Sequence, residues 1–154
     1  RRSKRAELLL EFLLKTGIDA KISDDIRRTI WEKFVFLTGM AAVTATIRLP
    51  MGPILGHPLT RAFYLDAMSE VEAVGRAHGV RLPENFAEER LAFTDTLPGT
   101  MTASMHHDLE RGNRLEVEWL SGSVVELGAA VGVPTPIHRV VRDILILHAG
   151  GKKS

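Results

Sequence analysis

The stretch from Asp25 to Ile47, which contains no proline, constrains the fold of this chain most strongly. Its apolar side chains recur at helical spacing, and its second half is rich in glycine and alanine. Small residues on a helix allow another part of the chain to come close. We therefore predict a long helix over about 25–47, and a helix this apolar must be covered by other helices of a mainly helical domain.

Glycines and prolines divide the rest of the chain into shorter segments. Apolar spacing predicts further helices over 4–16, 59–78, 84–96, 104–111, 115–131 and 135–148. Residues 18–22 alternate apolar and polar side chains, as a short strand does. The predicted fold class is therefore mainly α, a bundle of six to seven helices preceded by a remnant helix and a short strand.

Composition excludes several classes of function. The chain has no cysteine, which removes disulfides, thiolate zinc sites and cysteine nucleophiles. The net charge is +1, and the basic opening Arg1 to Arg5 lacks interleaved aromatic residues, so we expect no nucleic-acid partner. The longest apolar-rich stretch, residues 34–47, is shorter than the roughly 20 residues of a membrane span. We expect no targeting segment, no membrane contact and a cytoplasmic protein.

Three side chains have both a structural and a functional interpretation. Lys33 lies on a mostly apolar helix, where a lysine usually reaches the surface, although a buried ammonium would be a proton donor beside a carbonyl group. Ser104 stands where a loop enters a helix, the usual place of an N-cap. Glu116 falls in the predicted first turn after Gly112, where a carboxylate compensates the helix dipole, and Glu118 faces another side.

A metal site is the obvious interpretation of His106, His107 and Asp108. Adjacent side chains on a helix point in different directions, so they make a poor chelate, and we expect no metal. The sequence also contains neither a GxGxxG motif nor a P-loop motif. These residues therefore predict no nucleotide-phosphate site of their own.

Five segments in unbroken order resemble the ketopantoate reductase family. Ile30-Trp31-Glu32-Lys33-Phe34 is similar to its Trp-x-Lys helix, and Ser104-Met105-His106-His107-Asp108-Leu109 to its Ser-Met-x-x-Asp segment. Residues 114–122 are similar to its Thr-Glu-Ile-x-x-Ile-Asn-Gly helix. Residues 70–79 resemble a Glu-x-x-x-Val-x-x-x-x-Gly helix, and residues 132–136 a Gly-Val-x-Thr-Pro close. The resemblance extends over about residues 4–148.

The resemblance implies the C-terminal half of a two-domain enzyme. Its fold would be that of the 6-phosphogluconate dehydrogenase C-terminal-like domain, and NADPH would be bound mainly by a separate N-terminal Rossmann domain. Residues 1–22 would then be the end of that Rossmann domain, 23–150 the helical substrate-binding domain and 151–154 a tail that we expect to be frayed. We expect this chain alone to be inactive, and its opening helix to be covered by the bundle or by a second chain.

The resemblance also implies residue roles. Lys33 would act as the general acid that protonates the ketone oxygen. Glu116 would be catalytic and would also bind the cofactor, because it matches the glutamate beside the substrate hydroxyl and the nicotinamide ribose. Ser104 would hydrogen-bond the substrate. The reaction would reduce a 2-keto acid to the 2-hydroxy acid, as in pantothenate biosynthesis, in a homodimer.

Some positions depart from the family pattern and leave alternatives open. Leu37 and Ala41 occupy positions four and eight residues after Lys33, where the family often has asparagine, and His138 replaces another asparagine. A pocket that has lost two amides discriminates differently, so the substrate is expected to be ketopantoate or a relative of it. The alternatives are another 6-phosphogluconate-dehydrogenase-like oxidoreductase, or a helical dimerisation or interaction domain whose site has decayed.

Overall fold

A computed structural model describes residues 3–152, and every regular element in that range is a helix. The α-helices are α1 (Lys4–Lys15), α2 (Ile26–Ile47), α3 (Met51–Gly56), α4 (Pro58–Ala77), α5 (Phe86–Thr94), α6 (Ser104–Arg111), α7 (Ser123–Val131) and α8 (Pro136–Leu145). A π-helical turn, Glu118–Gly122, leads directly into α7, and a 3₁₀ turn, Ile146–His148, follows α8. The mainly helical fold predicted from the sequence is confirmed.

The predicted strand over residues 18–22 is wrong. These residues link α1 to α2 without a strand assignment, and no strand occurs elsewhere in residues 3–152. An alternating pattern becomes a strand only when another strand supplies its hydrogen-bond partners.

Two helix boundaries also differ from the prediction. The segment around Pro53 forms the short helix α3, because a proline in the first helical turn needs no backbone N–H.

The helix predicted from residue 115 begins only at Glu118. Before it, the Leu115 N–H donates to the carbonyl of Ala149 (2.9 Å), and Lys152 donates to Gly112 (2.8 Å). Residues 151 and 152 of the tail that was expected to be frayed are thus held by hydrogen bonds, and residues 153–154 lie outside the described residues.

Helices α2 and α4 form the central pair of the bundle. Gly39 of α2 lies directly against Met68 and Tyr64 of α4, and a Cβ atom at Gly75 of α4 would come within 2.8 Å of the Trp31 ring. The small residues of α2 therefore mark a close approach, as the sequence predicted.

The second half of α2 is buried in this bundle. By length and composition alone α2 could cross a membrane, so the expectation that no segment reaches that size is wrong. Half of the most apolar 18-residue stretch of α2 is buried in the protein. A helix buried in this way is weak evidence for a membrane span. The apolar side chains of its second half belong to the core, whereas Ile26, Ile30 and Leu37 are exposed.

Helix α1 stands apart from the bundle. It contains no buried residue, and Leu8, Leu9 and Phe12 are 67%, 57% and 63% exposed. The described part of the chain therefore does not cover its apolar side. Of the two expected covers, the bundle is wrong, and a second chain stays a prediction.

A buried polar junction joins α4 to the start of α8. The Glu70 carboxylate accepts hydrogen bonds from the backbone N–H groups of Ile137 (2.7 Å) and His138 (3.0 Å). Burial raises the pKa of Glu70, against the effect of these two bonds. The buried His138 ring donates from Nε2 to the Ala67 carbonyl (2.9 Å), and its Nδ1 accepts from the Ser121 hydroxyl (3.1 Å).

This junction predicts a pH dependence of stability. Burial lowers the pKa of His138 from 6.5 to about 4, so between these values the unfolded chain binds a proton that the folded chain excludes. The contribution of His138 to stability is complete above pH 6.5 and is lost as the pH falls towards 4, by roughly 3 kcal/mol in all.

We expect His138→Gln to weaken the pH dependence of stability, because glutamine supplies an N–H donor but cannot titrate. In denaturant unfolding, the free energy of unfolding of the variant should differ between pH 7 and pH 5 by about 2 kcal/mol less than that of the parent. The exposed His148→Gln is the matched control and should retain the parental difference. Equal pH dependence in His138→Gln and the parent would contradict the assignment.

Candidate functional site

Lys33 lies on the exposed surface of α2, at the edge of a cleft between α2 and α5. The cleft has a volume of about 430 Å³ and is lined by Arg28, Thr29, Glu32, Lys33, Phe36, Pro83, Phe86, Glu89 and Arg90. Within residues 3–152 the Lys33 ammonium makes no hydrogen bond or ion pair. Burial therefore does not prepare it as a proton donor, and its charge is available to a ligand.

The same cleft contains two further cations. Arg28 donates to a Glu32 oxygen (2.7 Å) and is thereby paired. The Arg90 guanidinium lies 5.1 Å from the ring centroids of both Phe86 and Phe93, and its buried Nε has no partner in the described residues. Three cations against Glu32 and Glu89 give the cleft a positive excess that suits an anion. Sequence analysis did not identify Arg90, since no motif marks it.

Ser104 is the first residue of α6, and its interpretation as an N-cap is wrong. The N-cap is Ala103, and the Ser104 hydroxyl makes no capping bond. The Ala103 N–H instead donates to the Thr44 hydroxyl of α2 (3.4 Å), which fixes the start of α6. The Ser104 side chain is exposed and has no hydrogen-bond partner within residues 3–152.

Glu116 precedes the π-helical turn rather than lying in the first turn of a helix. Its carbonyl accepts from the N–H groups of Trp119 (3.0 Å) and Leu120 (2.9 Å). The neighbouring Leu115 and Val117 are 4% and 0% exposed, so the backbone directs Glu116 away from the core. Its exposed carboxylate has no partner in the described range, and its position does not match the predicted first-turn dipole compensation.

The start of α6 is attached to the side of α2 that carries Lys33, farther along the helix. Thr44, which holds the start of α6, follows Lys33 by eleven residues, or about 16 Å along the axis and about 20° around it. Ala41 follows Lys33 by about 12 Å and belongs to the buried cluster that also contains Leu115 and Val117 on either side of Glu116. Neither Ser104 nor Glu116 lines the cleft beside Lys33. Their meeting around one ligand therefore stays a prediction.

The two positions that depart from the family pattern have different environments. Leu37 is 43% exposed, one turn beyond Lys33, whereas Ala41 is 3% exposed in the cluster with Leu115 and Val117. Leu37 therefore presents an apolar surface to any ligand near Lys33, while Ala41 is covered by protein.

Comparison with known proteins identifies the domain. The family model described as "Ketopantoate reductase PanE/ApbA C terminal" matches residues 25–149. The 2-dehydropantoate 2-reductase of Mesorhizobium japonicum is 36% identical over 135 residues, which cover 88% of this chain and 41% of that protein.

Two solved structures of ketopantoate reductases also match this chain. A PanE/ApbA family ketopantoate reductase from Ralstonia eutropha matches with a TM-score of 0.86 and 31% identity over 96% of this chain and 49% of that one. A dimeric ketopantoate reductase from Staphylococcus aureus matches with a TM-score of 0.88 and 20% identity over 97% of this chain and 52% of that one, which shows the fold alone.

These matches leave part of each relative unmatched, because the chain spans about half of their length or less. The matched region nevertheless includes α2 to α8 and the three candidate site residues. The chain belongs to the ketopantoate reductase family and corresponds to its C-terminal domain.

Proposed function

We propose that this domain binds the substrate of an NADPH-dependent reductase that converts a 2-keto acid into the 2-hydroxy acid. One observation carries the proposal: Lys33, Ser104 and Glu116 lie in segments that resemble the family's motifs, within the region that the family model matches, and each side chain is exposed without a partner in residues 3–152. Because no protein group engages their polar atoms, these three side chains are available to a ligand.

Reduction of a ketone requires a hydride at carbon and a proton at oxygen. NADPH, when bound, would supply the hydride. The ammonium of Lys33 would donate a hydrogen bond to the ketone oxygen and then its proton, as the oxygen becomes a hydroxyl. A positive charge at this point stabilises the negative charge that develops on oxygen. The positive excess of the neighbouring cleft would favour an anionic substrate.

Glu116 and Ser104 would position the reactants. The free carboxylate of Glu116 fits a hydroxyl donor, either on the substrate or on the nicotinamide ribose, and it would also favour the charged form of Lys33 if the two approach. The free hydroxyl of Ser104 would hydrogen-bond the substrate.

We propose further that residues 1–22 are the end of an N-terminal Rossmann domain, which would bind most of NADPH. The uncovered apolar side of α1 supports this assignment, because burying one such side chain is worth about 1.5–3 kcal/mol. Residues 1–154 alone should therefore bind NADPH weakly and reduce nothing. Tight NADPH binding in a fluorescence titration of this chain would contradict the assignment.

Variants of the longer protein that includes this domain test the chemistry. We expect Lys33→Ala to lower kcat about 100-fold or more, because the proton donor is lost. Glu116→Gln should also lower kcat/KM, since it removes a charged acceptor. The matched controls are Lys21→Ala, at an exposed position in the linker, and Glu118→Gln, two residues beyond Glu116. The assigned roles are refuted if steady-state assays show that both controls lose as much activity as the two variants.

The environment of Leu37 bears on the identity of the substrate. An exposed leucine in place of an amide removes hydrogen bonds that a hydroxylated substrate would use, so we expect weaker turnover of ketopantoate than of a 2-keto acid with an apolar side chain. Leu37→Asn should shift the ratio of kcat/KM values towards ketopantoate. Ketopantoate turnover at the level usual for the family would refute a changed substrate.

A homodimer is the proposed assembly. Val140, Ile144 and Leu147 are 55%, 51% and 90% exposed and recur at helical spacing along α8 and the turn after it. A row of exposed apolar side chains suits an interface between copies. The Staphylococcus aureus relative is described as dimeric. Sedimentation of the longer protein as a monomer at all concentrations would contradict this proposal.

A further inference from the structure

Three potential metal ligands meet on helix α6. The Nε2 atom of His106 lies 3.3 Å from one carboxylate oxygen of Glu110, and the Nδ1 atom of His107 lies 3.7 Å from the other. All three ligand atoms lie within 4.8 Å of one another. Glu110 follows the two histidines by four and three residues, so it reaches both from the next helical turn.

The divergence expected of adjacent helical side chains does not separate the two imidazoles. Their rings are perpendicular, at 90°, with centroids 5.5 Å apart. His106 is turned into the interface between α6 and α2 and is 5% exposed, whereas the side chain of His107 is 52% exposed. Because one ring is buried and the other lies at the surface, each can direct a nitrogen towards Glu110.

The hydrogen bonds of His106 determine which nitrogen carries its proton. Nδ1 lies 2.8 Å from the backbone carbonyl of Thr44, which can only accept, so Nδ1 bears the hydrogen and donates it. When a metal takes the place of the second ring hydrogen, the lone pair of Nε2 is the one that points towards the carboxylate of Glu110. A histidine that ligates a metal characteristically donates its other N–H to a carbonyl or carboxylate in this way.

His107 can complete the same arrangement. Its Nε2 lies 2.7 Å from the Thr102 hydroxyl, and a hydrogen bond donated there leaves a lone pair on Nδ1, the atom nearer to Glu110. Two imidazole lone pairs and a carboxylate then converge without a hydrogen between them. Such a set of acceptors favours a cation among them, either a proton on an imidazole or a metal ion.

We propose that His106, His107 and Glu110 form a binding site for a divalent transition-metal ion, and specifically for Zn²⁺. Imidazole nitrogen and carboxylate oxygen are ligands that zinc accepts at about 2.0–2.1 Å, which in a tetrahedron places them about 3.3 Å apart. The two distances to Glu110 are close to this value, and the exposed His107 ring can move to close the third. The fourth position would be open to water.

Zinc titration of the whole chain, prepared without a histidine tag, tests the site. Isothermal calorimetry should show one zinc ion per chain. His107→Ala and Glu110→Gln, both at exposed positions, should each weaken zinc binding more than about tenfold, because a direct ligand is lost. His148→Ala is the matched control: it removes an exposed imidazole outside the cluster and should leave the affinity unchanged.

Nitrogen-15 NMR of the histidine rings separates zinc from a proton. With zinc bound, His106 should retain its hydrogen on Nδ1 while the Nε2 resonance shifts to that of a metal ligand. No stoichiometric binding, or equal binding by His107→Ala, Glu110→Gln and the parent, would overturn the proposal. A His106 ring that carries hydrogens on both nitrogens in the presence of zinc would likewise overturn it and leave an ion pair with Glu110.

Discussion

The close contact between α2 and α4 is the interaction on which the rest of this domain depends. Gly39 and Gly75 have no side chains at the positions where Met68, Tyr64 and Trp31 lie, so the two helices approach closely at both glycines. Dense packing at this interface leaves little room for added atoms. Because α2 is fixed here, the side of its first half that faces away from the core presents Lys33 at the surface.

The segments that define the family divide into two groups. Residues 70–79 and 132–136 meet at the junction where Glu70 receives the first N–H groups of α8 and His138 is buried beside it. Their polar atoms are engaged within the protein, so these segments maintain the fold. The segments that contain Lys33, Ser104 and Glu116 instead leave these three side chains exposed and without a protein partner in residues 3–152, so they are available to a ligand.

At the interface between α6 and α2, one residue makes two different hydrogen bonds. Thr44 holds the start of α6 through its hydroxyl group and the ring of His106 through its carbonyl group. These two bonds fix the helix that begins with Ser104 and orient the buried histidine. A change at Thr44 would therefore affect both the position of Ser104 and the nitrogen that His106 presents to Glu110.

Local patterns in the sequence determined most of the helices and several of their ends, because the 3.6-residue period and a glycine in the left-handed region act within a single turn. The same patterns could not decide the strand over 18–22, which needed a partner, or the orientation of the buried ring of His106, which bonds Thr44, 62 residues away. Motif order singled out Lys33, Ser104 and Glu116, but their exposure, the covering of Ala41 and the cation at Arg90 were decided by tertiary contacts. Burial and hydrogen-bond partners come from residues distant in the chain, and only the packed structure brings those residues together.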